Sequence, residues 1–349
     1  MKTIGYAAHS VEKDLEPYHF ERRSIRENDV SIEILYSGVC HSDLHTIRGD
    51  WGEIEYPLIP GHEIVGRVIE VGSKVKKYKV GEHVAVGCMV DSCQSCDQCD
   101  HGEEQYCRNG ITATYGSKDR IDGTTTQGGY SKHIVVREEF VLKVPEKLDL
   151  KTAAPILCAG ITTFSPLKKW GIGKGSRVGV IGLGGLGHMG VKLAVALGAE
   201  VTVISRSDKK EEAAKAIGAK GILSSSNEEA MEKAQGSFDF ILDTVPVKHD
   251  FNTYTPLLDV DGTLVLVGQI GPMEEPITAP LVFGRRRIAG SLIGGIAETQ
   301  EVLDFCAEHS IAPECEIIPV EGINKAWENL ASGNPAHRYV IDMSSLSLQ

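Results

Sequence analysis

The chain has 349 residues with 48 acidic and 36 Lys+Arg side chains, a formal net charge of -12 and 42% hydrophobic content. At roughly 150 residues per domain this is a folded chain of two domains, which excludes a disordered or fibrous protein. The negative charge argues against a nucleic-acid partner, because such affinity rests on Lys and Arg neutralising phosphates, and no run nears the ~20 apolar residues of a membrane span.

The opening stretch, MKTIGYAAHSVEKDLEP, turns acidic before any signal-like apolar core, which predicts a cytoplasmic protein. Residues 30–36, 64–71 and 82–86 are short apolar runs, several alternating at period two and ending in turn residues. The chain to about Val144 therefore reads as an irregular, mostly antiparallel β domain. From about Ala153 to Ala289 strand and helix alternate: 177–181 and 201–204 are buried-strand runs with a helix over 189–197 between them, and 238–242 and 262–268 continue the series. That alternation predicts a parallel sheet with helices on its faces. A helix over 298–309 and a strand over 338–342 close the chain.

Nine cysteines in a cytosolic context point to metal rather than disulfides. Cys93, Cys96, Cys99 and Cys107 stand as C-x2-C-x2-C-x7-C. Close spacing lets one loop wrap a tetrahedral ion, and four thiolates leave no position for substrate, so this is a structural zinc site. An iron–sulfur cluster fits less well, since the fourth spacing and the missing proline depart from the ferredoxin pattern.

Cys40, His62 and Cys158 are uninformative singly, since a lone buried Cys is usually a small core hydrophobe. Together, two thiolates and an imidazole hold zinc with a fourth position open, the arrangement of alcohol and aldehyde chemistry.

Gly182, Leu183, Gly184, Gly185, Leu186 and Gly187 form G-x-G-x-x-G between a strand and an apolar helix, the context that makes this motif a dinucleotide fingerprint. Backbone N–H groups at that helix start would hold the pyrophosphate. At the next strand end, where an NAD-binding chain carries an acid, stand Ser205, Arg206, Ser207 and, a little beyond, Lys210. Hydroxyls and cations suit a 2′-phosphate and favour NADP(H). The alternative is an NAD site in which Asp208 holds the ribose and the cations are a solvated loop.

These residues resemble the zinc-dependent medium-chain alcohol dehydrogenases, most closely the cinnamyl alcohol dehydrogenase branch, over nearly the whole chain. The carriers are GVCHSDLH from Gly38, PGHEIVGRV from Pro60, the four-cysteine loop, LCAGITT from Leu157, GLGGLG from Gly182 and GSLIGG from Gly290. The resemblance implies an α/β protein with a GroES-like catalytic domain over 1–152, completed by 290–349, and a Rossmann domain over 153–289. It implies a homodimer joined through the cofactor-domain sheets near GSLIGG, and two Zn2+ per subunit.

By the same resemblance Cys40, His62 and Cys158 hold the catalytic zinc, Glu63 is an alternative ligand, and Asp43 orients His62. Ser42 and His45 relay a proton through the cofactor ribose. Thr162, Thr244, Gly268 and a strand of Ser291, Leu292 and Ile293 line the cofactor. Where relatives often carry a pyrophosphate-contacting arginine this chain has His41, and Arg338 is a candidate for that phosphate. Asp50 and Trp51 begin the substrate pocket. Cys88, Cys306 and Cys315 have no partner in this scheme and read as buried structural thiols. The implied activity is hydride transfer between NADP(H) and primary alcohols or aldehydes, aromatic or aliphatic. An NAD-linked polyol dehydrogenase is disfavoured by Cys158, where polyol members tend to carry a carboxylate. A zinc-free quinone reductase would lack both metal sets. A non-catalytic zinc redox sensor would leave the nucleotide fingerprint unexplained.

Overall fold

The computed structural model of the chain describes residues 1–268, 270–332 and 337–347. It divides into two compact units, Met1–Ile161 with Gly294–Gln349, and Thr162–Ile293. The sequence expectation set these breaks at 152/153 and 289/290. The first lies later because the short helices Leu150–Ala153 and Ala154–Leu157 pack on the sheet of the first unit. Ala154, Pro155, Ile156 and Leu157 are all buried there, which holds Cys158 in that unit.

The first unit is built on a seven-stranded sheet. Its order is Cys315–Pro319, Arg338–Asp342, Asp29–Val39, Ile64–Val71, His83–Val86 and Leu142–Lys143, with His133–Arg137 also paired to Asp29–Val39. Only the first two strands are parallel. The long strand Asp29–Val39 is the organiser, since Val30, Ile32, Ile34 and Val39 are fully buried. Its end is decisive for the site. Tyr339 pairs with Val39, so the returning C-terminal strand brings Arg338 alongside Cys40.

The second unit is a six-stranded parallel sheet. Its spatial order is Ile222–Ser224, Glu200–Ser205, Arg177–Ile181, Phe238–Asp243, Leu258–Leu266 and Arg287–Gly290. This is the doubly wound order 3-2-1-4-5-6, whose switch point lies between Arg177–Ile181 and Phe238–Asp243. Ile181, Ile204, Phe238, Ile241 and Leu264 form its apolar centre. Ser291, Leu292 and Ile293, expected as strand, instead follow the strand end at Gly290. Ile293 turns the chain at φ 35°, a left-handed value that no strand residue adopts. Among the described residues no helix is long and apolar enough to cross a membrane.

Candidate active site

The strand Asp29–Val39 ends where Cys40 begins the helix His41–Ile47. Asp43, in the first turn, folds back so that its Oδ2 accepts from the Cys40 N–H at 3.1 Å. Its other oxygen accepts from the Gly61 N–H at 3.0 Å and meets His62 Nδ1 at 2.9 Å. Tyr130 donates its hydroxyl to Oδ2 at 2.8 Å. A carboxylate with no exposure is thus fully satisfied, and it leaves His62 with one tautomer and one orientation.

Cys40, His62, Glu63 and Cys158 are all buried, and one donor atom from each lies within 4.8 Å of the others. The Cys40 and Cys158 sulfurs are 3.9 Å apart, close to the ~3.8 Å that two thiolates span on a tetrahedral zinc. The hydrogen bond from Cys158 holds the Cys40 thiol well below its ordinary range, and the same bond pushes Cys158 up. Only one oxygen of Glu63 is used. Its Oε1 accepts from Arg338 Nη2, while Oε2 is buried without a hydrogen-bond partner among the described residues. Burial pushes the Glu63 carboxyl up to about 7 against the pull of Arg338. A Cβ at Gly38 would stand 1.9 Å from Glu63 Oε2, so only glycine lets the carboxylate lie there. Two thiols, an imidazole and a carboxylate gathered in one buried cluster are a donor set that fits a zinc ion.

The second cluster is local. Cys93, Cys96, Cys99 and Cys107 bring their sulfurs within 4.8 Å of one another. Backbone N–H groups of Cys93 and Arg108 donate to the Cys107 and Cys96 sulfurs, each at 3.4 Å, and Ser92 Oγ lies 3.3 Å from Cys99 Sγ. Such donors stabilise thiolate charge, which fits four-sulfur zinc ligation.

In the second unit the strand Arg177–Ile181 runs into Gly182, at φ 89°, and the helix Gly185–Ala196. That helix begins at Gly184 with no side-chain cap, leaving its first N–H groups for a ligand such as a pyrophosphate. A Cβ at Gly187 would meet the Gly182 carbonyl oxygen at 2.1 Å. Ser205 ends the next strand, and the exposed Arg206 makes no ion pair among the described residues. Lys210 is exposed at the start of the helix Glu211–Ala216, while Asp208 accepts the Glu211 N–H through its backbone carbonyl at 2.8 Å.

Two family profiles match, "Alcohol dehydrogenase GroES-like domain" over residues 26–146 and "Zinc-binding dehydrogenase" over 185–308. An NADP-dependent alcohol dehydrogenase of Mycolicibacterium smegmatis is 52% identical over 99% of both chains. An aldehyde reductase of Escherichia coli is 50% identical over 99% of this chain and 100% of that one. A cinnamyl alcohol dehydrogenase structure from Sorghum bicolor superposes with a TM-score of 0.95 at 40% identity, covering 100% of this chain and 99% of that one. The chain belongs to the zinc-dependent medium-chain alcohol dehydrogenase family, in its cinnamyl alcohol dehydrogenase-like branch.

Other residues singled out in the sequence are placed as follows. Arg338 is not at the surface. It is buried, and although burial works against its charge, Glu63, Cys40 and Cys158 outweigh that and hold it protonated. Asp50 is exposed and meets His45 Nδ1 at 2.7 Å, while the His45 ring stacks between His41 and Trp51. Asp50 thus orients the His45 imidazole. Ser42 and His45 share one face of their helix at the three-residue spacing. Thr244 Oγ1 donates to the Ile181 carbonyl at 2.7 Å, and the Gly268 N–H donates to the Asp243 carbonyl at 3.2 Å. Thr162 is buried in the helix Ala159–Lys169, and the Ser291 N–H donates to the Leu266 carbonyl at 3.2 Å.

Cys306 is fully buried as expected, but Cys88 and Cys315 are half-buried. Cys88 also has a partner after all. A hydrogen bond with Cys158 holds its thiol below the ordinary range, and its sulfur lies 3.7 Å from the Leu157 carbonyl. Sequence reasoning missed Tyr130 as well, because a tyrosine 87 residues from Asp43 carries no local signal of its hydroxyl's destination.

Proposed function

We propose that the chain is an NADP-dependent, zinc-dependent alcohol dehydrogenase and aldehyde reductase acting on primary alcohols and aldehydes with aromatic or aliphatic side chains. The observation that carries this reading is the buried Cys40, His62, Glu63 and Cys158 cluster beside a separate four-sulfur site. Full-length relatives with these activities at 50% identity or better support it.

Cys40, His62 and Cys158 hold the catalytic ion, and Asp43 fixes the imidazole for that task. A zinc ion there supplies Lewis acidity at a carbonyl or hydroxyl oxygen. Bound NADP(H) supplies or takes up the hydride. Ser42 passes the hydroxyl proton, and His45, steadied by Asp50, exchanges it with solvent. Glu63 offers its free oxygen as an alternative ligand while Arg338 compensates its charge. The glycine turn from Gly182 to Gly187 binds the pyrophosphate, and Ser205, Arg206, Ser207 and Lys210 receive the 2′-phosphate. Thr162, Thr244, Gly268, Ser291, Leu292 and Ile293 line the rest of the dinucleotide, and Trp51 borders the substrate.

Initial rates of cinnamaldehyde reduction by the zinc-loaded protein test the reading. The expected result is a strong preference for NADPH over NADH, about tenfold or more in kcat/KM from the charged contacts to one phosphate. Equal use of NADH would overturn the assignment of Arg206 and Lys210.

The protein works as a cytoplasmic homodimer. Among the described residues the edge strand Arg287–Gly290 is paired on one side only, and Val282, Phe283 and Leu292 nearby are 72%, 88% and 42% exposed. An unpaired strand edge flanked by large apolar side chains is a template for a second copy. Light scattering is expected to return twice the monomer mass, and a monomeric mass would rule the dimer out.

A further inference from the structure

The strand Phe238–Asp243 ends at the switch point of the parallel sheet, where Ile181 and Asp243 pair. Asp243 is 1% exposed, and its carboxylate is one residue from Thr244, whose N–H and hydroxyl both donate to the Ile181 carbonyl just before the glycine turn. One carboxylate oxygen accepts from the Val245 N–H at 3.1 Å. The other meets His249 Nε2 at 2.7 Å. His249 Nδ1 in turn lies 2.9 Å from the Val247 carbonyl oxygen. A carboxylate and a carbonyl can only accept, so both ring nitrogens must donate, and a histidine that donates twice is a cation.

No part of the zinc chemistry or of the phosphate contacts proposed above uses this pair. A buried carboxylate at the mouth of a dinucleotide crevice repels the pyrophosphate that must lie there. We infer that His249 is a positioning residue for the cofactor: as an imidazolium on Asp243 it cancels that buried negative charge and ties down the 245–248 loop, so the sheet edge accepts an anionic dinucleotide. The inference rests on the proposed assignment of this crevice to NADP(H).

The surroundings agree. On its own segment His249 is flanked by Asp250, which adds to its stabilisation, and by Lys248, which is neutralised by Glu274 at 2.9 Å. From the turn that follows Phe251–Thr253, the Tyr254 ring lies 6.1 Å away, and Arg206 acts on that phenol from the loop after the strand Glu200–Ser205. The bond to Asp243 holds the imidazole above its ordinary range. The sign follows. His249 carries its charge below that raised value and loses it as pH rises through it, so cofactor affinity falls on the alkaline side.

Equilibrium binding of NADPH and of NADH to the zinc-loaded protein, followed by cofactor fluorescence, tests this. His249→Gln is expected to raise Kd about tenfold for both dinucleotides at neutral pH. Asp243→Asn combined with His249→Gln is expected to recover most of that loss, because the charge needing cancellation is gone. Equal affinities in wild type and His249→Gln, or a double variant no better than the single one, would overturn the inference. So would a loss confined to NADPH, which would make His249 a reader of the 2′-phosphate. Should His249→Gln fail to fold, the wild-type Kd for NADH still decides, since NADH has no phosphomonoester to titrate. It is expected to rise from about pH 6 to about pH 9, and a flat profile overturns the inference. A wild-type protein that binds neither dinucleotide would overturn the cofactor assignment along with it.

Discussion

Cys40→Ser is expected to lower kcat/KM by on the order of 10^3-fold or more while the protein keeps its fold. A serine hydroxyl does not ionise near neutrality, so the site would lose one of two thiolates and the charge that balances the ion. The Cys158 sulfur lies 3.9 Å from that of Cys40 and is itself one of the ligands, and a carboxylate oxygen of Glu63 would not replace the lost thiolate sulfur. The zinc content should fall from two ions per chain towards one, with the four-sulfur loop still loaded, because its ligands Cys93, Cys96, Cys99 and Cys107 form a separate cluster. Metal analysis beside steady-state rates distinguishes the outcomes. A near-normal rate with two zinc ions would refute the assigned ligand set.

Gly187→Val is expected to abolish dinucleotide binding, by about a hundredfold or more in Kd, with both zinc ions retained. The new Cβ would sit 2.1 Å from the Gly182 carbonyl oxygen, well inside contact distance. Gly182 cannot yield, because it sits at φ 89°, its N–H donates to the Ile204 carbonyl at 2.9 Å, and a Cβ there would lie 3.1 Å from Thr244 Oγ1. The helix Gly185–Ala196 must therefore back away from the turn, carrying with it the uncapped N–H groups that would hold the pyrophosphate. Fluorescence titration with NADPH measures the loss. Binding within a few-fold of wild type would show that the glycine turn is not the phosphate site.

Elements whose signal is local are legible in the amino-acid sequence. The strand, glycine turn and helix from Arg177 to Ala196 are consecutive, and so are the four cysteines that wrap one sulfur cluster. The strand over 64–71 and the closing strand over 338–342 fall where period-two patterning and apolar runs put them. The strand expected over Ser291, Leu292 and Ile293 fails for a specific reason. Its apolar residues fit a strand, but the turn at Ile293 depends on where the chain must go next, which composition does not encode.

Sequence by itself determined the glycine turn and the four-sulfur loop, because each is set by residues within a few positions of one another, and the parallel sheet and the family, because these are built from a series of such local patterns along the chain. Tertiary structure alone decided that Arg338 lies on Glu63, 275 residues away, that Tyr130 completes the shell of Asp43, that Asp50 serves His45, and that Cys88 sits against Cys158. The Arg338–Glu63 contact follows from the register that pairs Tyr339 with Val39 and from the room that Gly38 leaves beneath Glu63. A one-residue change of that register would turn Arg338 to the opposite face while leaving the local pattern unchanged.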